Sequence, residues 1–341
     1  MEKSTDSGNF LSVVVPCYNE EEALPLFYDA MRRLSAEVMP HVRFEFLFID
    51  DGSKDRTLEI LREMSRSDDR VRYVSLSRNF GKEAGIYAGL QHARGDYVVV
   101  MDVDLQNPPS KLPEMYQAVT VGDEGGRYDS ATSRRMTRKG EPVIRSFFAR
   151  WFYRIINRIS DTEIVDGSLD FRMMSRQMVD AILSVSEYNR FSKGIFSWVG
   201  FRTKWFPYDN IPRAAGRTKW SFWSLVWYSI DGIVAFSTAP LALSSLFGIL
   251  FCFLALLLGA YTVVKTLAWG EPVAGYPTLV CVVLFVGGIQ LLLQGVQGQY
   301  LSKAYLEAKR RPIYLVHETE TSVKSRQNCG VPDDEHRKEI P

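Results

Sequence analysis

Asp102 and Asp104 stand two residues apart just after a short apolar run, Val98–Met101, and Gln106 follows at the same interval. Side chains at that spacing leave one side of an extended segment, so three oxygen donors could converge on one hard cation. Mg2+ takes one or two carboxylates and fills its shell with water and substrate phosphates, which suits this set. Asn107-Pro108-Pro109 then ends the run. An isolated D-x-D triplet is more often a solvated acidic turn, so the triplet needs company before it is read as a site.

That company comes from the elements that must position it. Leu11–Pro16, Phe44–Ile49, Val71–Leu76 and Val98–Met101 read as strands, and helical patterns lie between them, with Ala23, Leu24, Phe27 and Met31 on one face of the first. Strands alternating with helices predict an α/β fold with a mainly parallel sheet covered on both faces. Ligands bind such sheets outside the carboxyl ends of the strands. Tyr18-Asn19-Glu20, Asp50-Asp51, Arg78–Lys82 and Asp102–Gln106 each follow a strand directly, so four polar clusters meet on one edge. The first cluster reads PCYNEEE where a dinucleotide site needs G-x-G-x-x-G, and there is no G-K-[ST] phosphate loop.

The chain has 341 residues, 46% hydrophobic, and a formal charge of +1, which argues against a nucleic-acid partner. Its hydrophobic residues are unevenly spread. Leu241–Val264 is an uncharged run of 24 residues, long enough to span a bilayer. Pro277–Gly298 is a second uncharged stretch, softened by Gly287, Gly288, Gln290, Gln294 and Gln297. The expectation is a two-helix transmembrane hairpin over about 237–300, with spans near 238–266 and 276–298. Arg213, Arg217 and Lys219 precede it, and Lys303, Lys309, Arg310 and Arg311 follow it, which puts both termini in the cytoplasm. Met1–Phe10 is polar and carries no secretory signal. The four cysteines, at 17, 252, 281 and 329, imply neither zinc nor disulfides.

After a strand at Tyr128–Thr132, Ser133–Lys139 carries Arg134, Arg135, Arg138 and Lys139. Such a run is usually a solvated face, but arginine forks also match phosphate oxygens. Residues 143–159 mix Phe147, Phe148, Trp151 and Phe152 with Arg145, Arg150, Arg154 and Arg158, the composition of a helix in the headgroup region. Residues 220–233 carry Trp and Tyr just before the first span, as interfacial segments do. The resulting division is a disordered 1–9, a cytoplasmic domain over 10–212 with an interfacial helix at about 141–160, a loop and interfacial helix over 213–236, the hairpin, and a cytoplasmic tail over 301–341, disordered after about 318.

PCYNE, DDGSKD, SRNFGKEAG, DVDLQNPP and DFR, in this order, resemble the family 2 glycosyltransferases with a nucleotide-sugar (type A) fold. Within them the likeness is to the polyprenyl-phosphate sugar transferases, nearest the bacterial bactoprenol glucosyltransferases, and FSKGIFSWVG, FSTAPL and GEPVAGYPTL extend it over roughly residues 10–315. The resemblance implies that Pro16, Tyr18, Glu20 and Asp51 hold the base and ribose of the donor. Lys82 would lie in the donor loop, and Asp102, Val103 and Gln106 at the diphosphate, with Asp102, Asp104 and Gln106 around Mg2+ or Mn2+. Asp104 and Asp170 would be the catalytic acids. Arg134, Arg135, Arg217 and Lys219 would hold the phosphate of the acceptor.

It further implies an inverting, metal-dependent transfer of a hexose, glucose from UDP-glucose foremost, to undecaprenyl phosphate. The setting would be the cytoplasmic face of a bacterial inner membrane, the product a lipid-linked donor for cell-surface glycan, and a homo-oligomer is compatible with it. GDP-mannose or a UDP-amino-arabinose donor is the alternative within the class. A non-catalytic scaffold of the same fold would be expected to have lost some of Asp102, Asp104, Asp170 or the basic loop, and all are present. Three departures stand out: Ser168-Leu169 before Asp170 where the family has Gly, Thr218 for Ser before Lys219, and Gln299 for Glu before Tyr300.

Overall fold

The computed structural model describes residues 9–135, 168–208, 230–269 and 275–322, together with 154, 156–160 and 165. In chain order the elements are β1 (Phe10–Cys17), α1 (Ala23–Arg33), β2 (Arg43–Asp50), α2 (Thr57–Ser67), β3 (Val71–Leu76), α3 (Lys82–His92), β4 (Tyr97–Val100) and α4 (Leu112–Thr120). They continue with β5 (Ser130–Arg135), β6 (Ser168–Ser175), α5 (Arg176–Ser184), α6 (Ser192–Trp198), β7 (Thr203–Tyr208), α7 (Ala239–Trp269), α8 (Tyr276–Ala308) and β8 (Val316–Thr319).

All eight strands form one sheet in the order β7-β5-β6-β4-β1-β2-β3-β8. Its centre, β4-β1-β2-β3, is parallel, as the alternation of strand and helix predicts. Side chains of these strands alternate between two cores with period two. Val13, Val15, Phe46, Phe48 and Val99 pack with α1, α2 and α4, while Val14, Leu47, Ile49, Val98 and Val100 pack with α3, α5 and α6. Strands buried on both faces read as unbroken apolar runs, which is why they were legible. The small residues of α3 have a packing reason: a Cβ at Gly89 would overlap Val14.

Three pairings are antiparallel: β4 with β6, β5 with β6, and β3 with β8. The last was not foreseen, since the tail was read as disordered from about Glu318. Glu318 accepts two hydrogen bonds from Arg62 (2.8 and 2.7 Å) and one from Tyr73 (3.0 Å). Arg72 bridges Glu320 and Glu45, each at 2.6 Å. The chain beyond the long helices is thus clamped to the sheet edge. Burial works against ionisation of Glu318, but the Arg62 guanidinium outweighs it and sets its carboxyl below the usual value. Its contribution is therefore full above the ordinary carboxylate range and is lost as pH falls through the lowered folded value. Glu318→Gln is expected to cost about 1 kcal/mol, read at neutral pH as roughly fivefold faster amide exchange over 316–319. Unchanged exchange would count against the clamp.

Gly52 shapes the edge where the polar clusters meet. Its φ is +67°, and a Cβ there would lie 2.5 Å from the carbonyl carbon of Arg78. Gly52→Ala is expected to destabilise the domain by about 2 kcal/mol, from strain plus a backbone clash. A thermal unfolding midpoint within a degree of wild type would contradict this.

Of the two expected spans, one is met by a candidate helix. Among the described residues, α7 is the one helix long and apolar enough to cross a membrane, over Ala239–Leu258. Leu246, Ile249, Phe253 and Leu256 on it are exposed, unlike the face of a core helix. α8 follows α7, and Phe251 meets Phe285 edge to face at 6.0 Å. Its first half is uncharged, and its second half runs on through Gln294 and Gln297 into Lys303 and Glu307. Most of the expected interfacial helix at 141–160, and of the segment 213–236, lies outside the described residues. Ile156 is buried against Phe191 with Ile233 and Phe236 beside it.

Candidate active site

Parallel strands carry their following loops to one edge of the sheet, and the register of β6 brings a further acid there. Val100 pairs with Arg172 across the antiparallel β4–β6 ladder. Asp102 lies two residues after Val100 and Asp170 two residues before Arg172, so the two carboxylates leave the ladder together. Lys82, the first residue of α3, reaches both: its Nζ is 2.7 Å from Asp102 Oδ1 and 2.7 Å from Asp170 Oδ2. One ammonium held by two carboxylates from three separate elements forms the centre of the site.

The charges hold one another in place. Burial by itself would lower the pKa of Lys82, but Asp102 and Asp170 outweigh it and raise the ammonium above its ordinary value. Burial likewise opposes ionisation of Asp170, yet Lys82 and Lys193 hold its carboxyl well below the usual range. Arg172, beneath Asp170 on β6, is buried between Phe196 and Trp205, with its guanidinium 5.0 and 5.6 Å from the ring centres. Burial lowers it to about 10.

The donor residues expected from sequence lie on the same edge. Pro16, next to last in β1, pairs with Ile49 of β2. Asn19 and Glu20 are fastened to the β2–α2 loop: Asn19 N donates to Ser53 and Glu20 N to Thr57, both at 2.9 Å. Asp51 is buried, and its carboxylate accepts from Phe80 N at 2.7 Å and Gly81 N at 2.9 Å. Burial raises its pKa against the pull of those amides. Asp51 therefore shapes the loop that delivers Lys82. Tyr18, half-buried, lies between β1 and this loop system.

The D-x-D-x-Q segment differs from expectation. β4 ends at Val100, and Asp102–Gln106 form a turn with Leu105 at φ +55°. Gln106 N donates to Asp104 Oδ1 at 3.1 Å, and Val103 is buried in the core. The alternation rule for strands therefore does not extend to Asp102–Gln106, because the chain leaves the strand after Val100 and turns at Leu105. Among the described residues no three His, Cys, Asp or Glu side chains stand together as a metal cage. The pair Asp102 and Asp104 still offers hard oxygens beside a cradle that already holds one cation, the donor set that Mg2+ and Mn2+ take when phosphates supply other ligands.

Of the acceptor set, Arg134 stands exposed at the end of β5, opposite Ser168 and so on this same edge. Arg135 closes that strand. Arg217 and Lys219 lie outside the described residues. Sequence reasoning missed Glu83, whose half-buried carboxylate accepts from the backbone N of Ser192 at 2.9 Å and from its hydroxyl. Burial raises its pKa. Its signal was its place next to Lys82 in SRNFGKEAG.

The glycosyl transferase family 2 model matches residues 12–183, which include the edge just described up to Asp170. The chain belongs to that family. It is a glycosyltransferase, and bactoprenol glucosyl transferases are among its homologues. It is 41% identical to the bactoprenol glucosyl transferase of Shigella phage SfV over 90% of this chain and 97% of that one. It is 40% identical to the prophage bactoprenol glucosyl transferase homolog of Escherichia coli (strain K12), over 90% and 98%. Among solved structures, it is similar to glucosyl-3-phosphoglycerate synthase from Mycobacterium tuberculosis in complex with Mn2+, UDP-glucose and phosphoglyceric acid, with a TM-score of 0.44 and 22% identity over 67% of this chain and 78% of that one.

Proposed function

We propose that this family 2 glycosyltransferase moves glucose from UDP-glucose to undecaprenyl phosphate at the cytoplasmic face of a bacterial inner membrane, inverting the anomeric carbon. The observation that carries the reading is the identity of about two residues in five to bactoprenol glucosyl transferases across nine tenths of the chain. Helix α7 supports it by supplying an apolar, exposed segment of membrane-crossing length. The fold is read as the nucleotide-sugar (type A) fold, with α7 and α8 as the hairpin.

In this account the base and ribose lie along Pro16, Tyr18, Glu20 and Asp51, and Val103 lends backbone only, since its side chain is buried. Asp102, Asp104 and Gln106 would hold Mg2+ or Mn2+, which when bound would supply positive charge for the diphosphate. Lys82 adds positive charge at the N-terminus of α3, where the helix dipole also favours an anion. The attacking group is a phosphate monoester whose second pKa is near 6, so it is largely dianionic at neutral pH and needs no strong base. Asp170, held ionised by Lys82 and Lys193, orients Lys82 and the acceptor more than it removes a proton. Arg134, Arg135, Arg217 and Lys219 would hold the acceptor phosphate with charge-assisted hydrogen bonds.

Membranes containing the protein, given undecaprenyl phosphate and labelled UDP-glucose, GDP-mannose or UDP-amino-arabinose in turn, test the donor. Labelled lipid is expected with UDP-glucose at least tenfold above the others. Label from GDP-mannose or UDP-amino-arabinose alone would replace this donor.

A further inference from the structure

A second cavity lies beside the active site, on the far side of Glu83. It has a volume of about 310 Å3, at the low end for ligand pockets. The β3–α3 loop contributes Arg78, the loop before α6 contributes Asn189 and Arg190, and the polar end of α8 contributes Lys303. Three cations from three separate segments thus line one small space. Two acids share it, and both are engaged: Glu83 by Ser192, and Asp231 by Lys303 at 2.6 Å.

The layer behind this lining holds donors that lack acceptors. Arg190 is 8% exposed, and its Nη atoms donate to the carbonyl oxygens of Val185 and Ile182, while Tyr87 lies under its face at 4.4 Å. No carboxylate pairs with it among the described ion pairs, and its Nε has no hydrogen-bond partner. The same is true of Nδ2 of the adjacent Asn189. Buried donors without partners are costly and rare, a charged one most of all. Both lie closed to solvent behind the cavity wall, where the charge of Arg190 favours an anion in the cavity.

The walls are also held in place from the membrane side. Glu307 of α8 accepts from the backbone N of Tyr188 at 2.7 Å and of Asn189 at 3.3 Å, and Lys303 donates to Asn189 Oδ1 at 3.3 Å. The helical stretch bearing Asp231 leads directly into α7. The cavity is therefore built where the long helices meet the catalytic domain.

We propose that this cavity binds a lipid phosphate group, at a site separate from the Lys82–Asp102–Asp170 centre. Arg78 and Lys303 supply the accessible charge, and the buried Arg190 adds a third positive charge behind the wall. The two sources of that chemistry are the phosphate of a polyprenyl phosphate and that of an anionic phospholipid headgroup. The proposal rests on the reading above only in taking α7 to lie in a bilayer.

The test uses the full chain in neutral detergent, with bound lipid counted by native mass spectrometry. Undecaprenyl phosphate and phosphatidylglycerol are titrated separately, with undecaprenol and diacylglycerol as their phosphate-free counterparts. At least one phosphate lipid is expected to bind well above its counterpart, and which one does identifies the source. Arg78→Ala and Lys303→Ala should each weaken that binding about tenfold. Asp231→Asn should strengthen it, because it releases Lys303, whereas a merely structural pair would give a loss. Undiminished binding in the Arg78→Ala/Lys303→Ala double variant, or no gain in Asp231→Asn, would overturn the proposal. Glucosyl transfer is assayed on the same preparations. If only the site is wrong, transfer persists and phosphate binding does not move; if only the donor and acceptor reading is wrong, no labelled lipid forms and the binding changes remain.

Discussion

Asp170→Asn is expected to lower the rate of transfer by about a hundred- to a thousandfold, equivalent to about 3–4 kcal/mol of barrier. The substitution keeps the shape of the side chain and removes its charge. Lys82 then keeps only Asp102 as an anionic partner and is free to swing toward it, away from the acceptor side of the site. The acceptor would also lose the group that sets its approach, and misplacement by about 1 Å can cost a hundredfold. UDP-glucose affinity should change less than fivefold, because the residues proposed to hold the donor lie at the ends of β1 to β4 and on the loops after them. Rate and donor affinity measured on the same preparation separate the two effects. A rate within threefold of wild type would remove Asp170 from the chemistry.

Asp104→Ala is expected to abolish measurable transfer while leaving the thermal midpoint within about two degrees, since the residue stands in a surface turn and not in either core. Its effect should fall on metal dependence. Wild type is expected to bind UDP at least tenfold more tightly with Mn2+ or Mg2+ than with EDTA, and the variant about equally in both. Calorimetric titration of UDP under the two conditions reads this directly. Full activity of the variant without added metal would exclude the metal role.

The four central strands and the polar loops that follow them were legible because each strand is buried on both faces and reads as an apolar run. The meeting of Lys82 with both Asp102 and Asp170 was not, because it depends on the register of an antiparallel strand separated from β4 by 67 intervening residues, Met101–Gly167. The turn at Asp102–Gln106 was misread as extended because the positive φ of Leu105, a residue type that rarely adopts it, has no signal in the sequence. Strand β8, Val316–Thr319, has no apolar run to announce it; it is held by Arg62 and Arg72, whose partners lie some 250 residues away in sequence. By sequence Glu83 is an ordinary first-turn helix acid, and only its hydrogen bonds with Ser192 show that it joins α3 to α6.

The central claim is that the acceptor is a lipid phosphate. Purified protein with UDP-[14C]glucose and divalent metal should be offered undecaprenyl phosphate and, in parallel, undecaprenol, which differs only in lacking the phosphate. The account predicts label in an organic-soluble product from undecaprenyl phosphate alone, with the β configuration at the glucosyl phosphate. Equal labelling of undecaprenol, or none of either lipid while UDP is released, would contradict it.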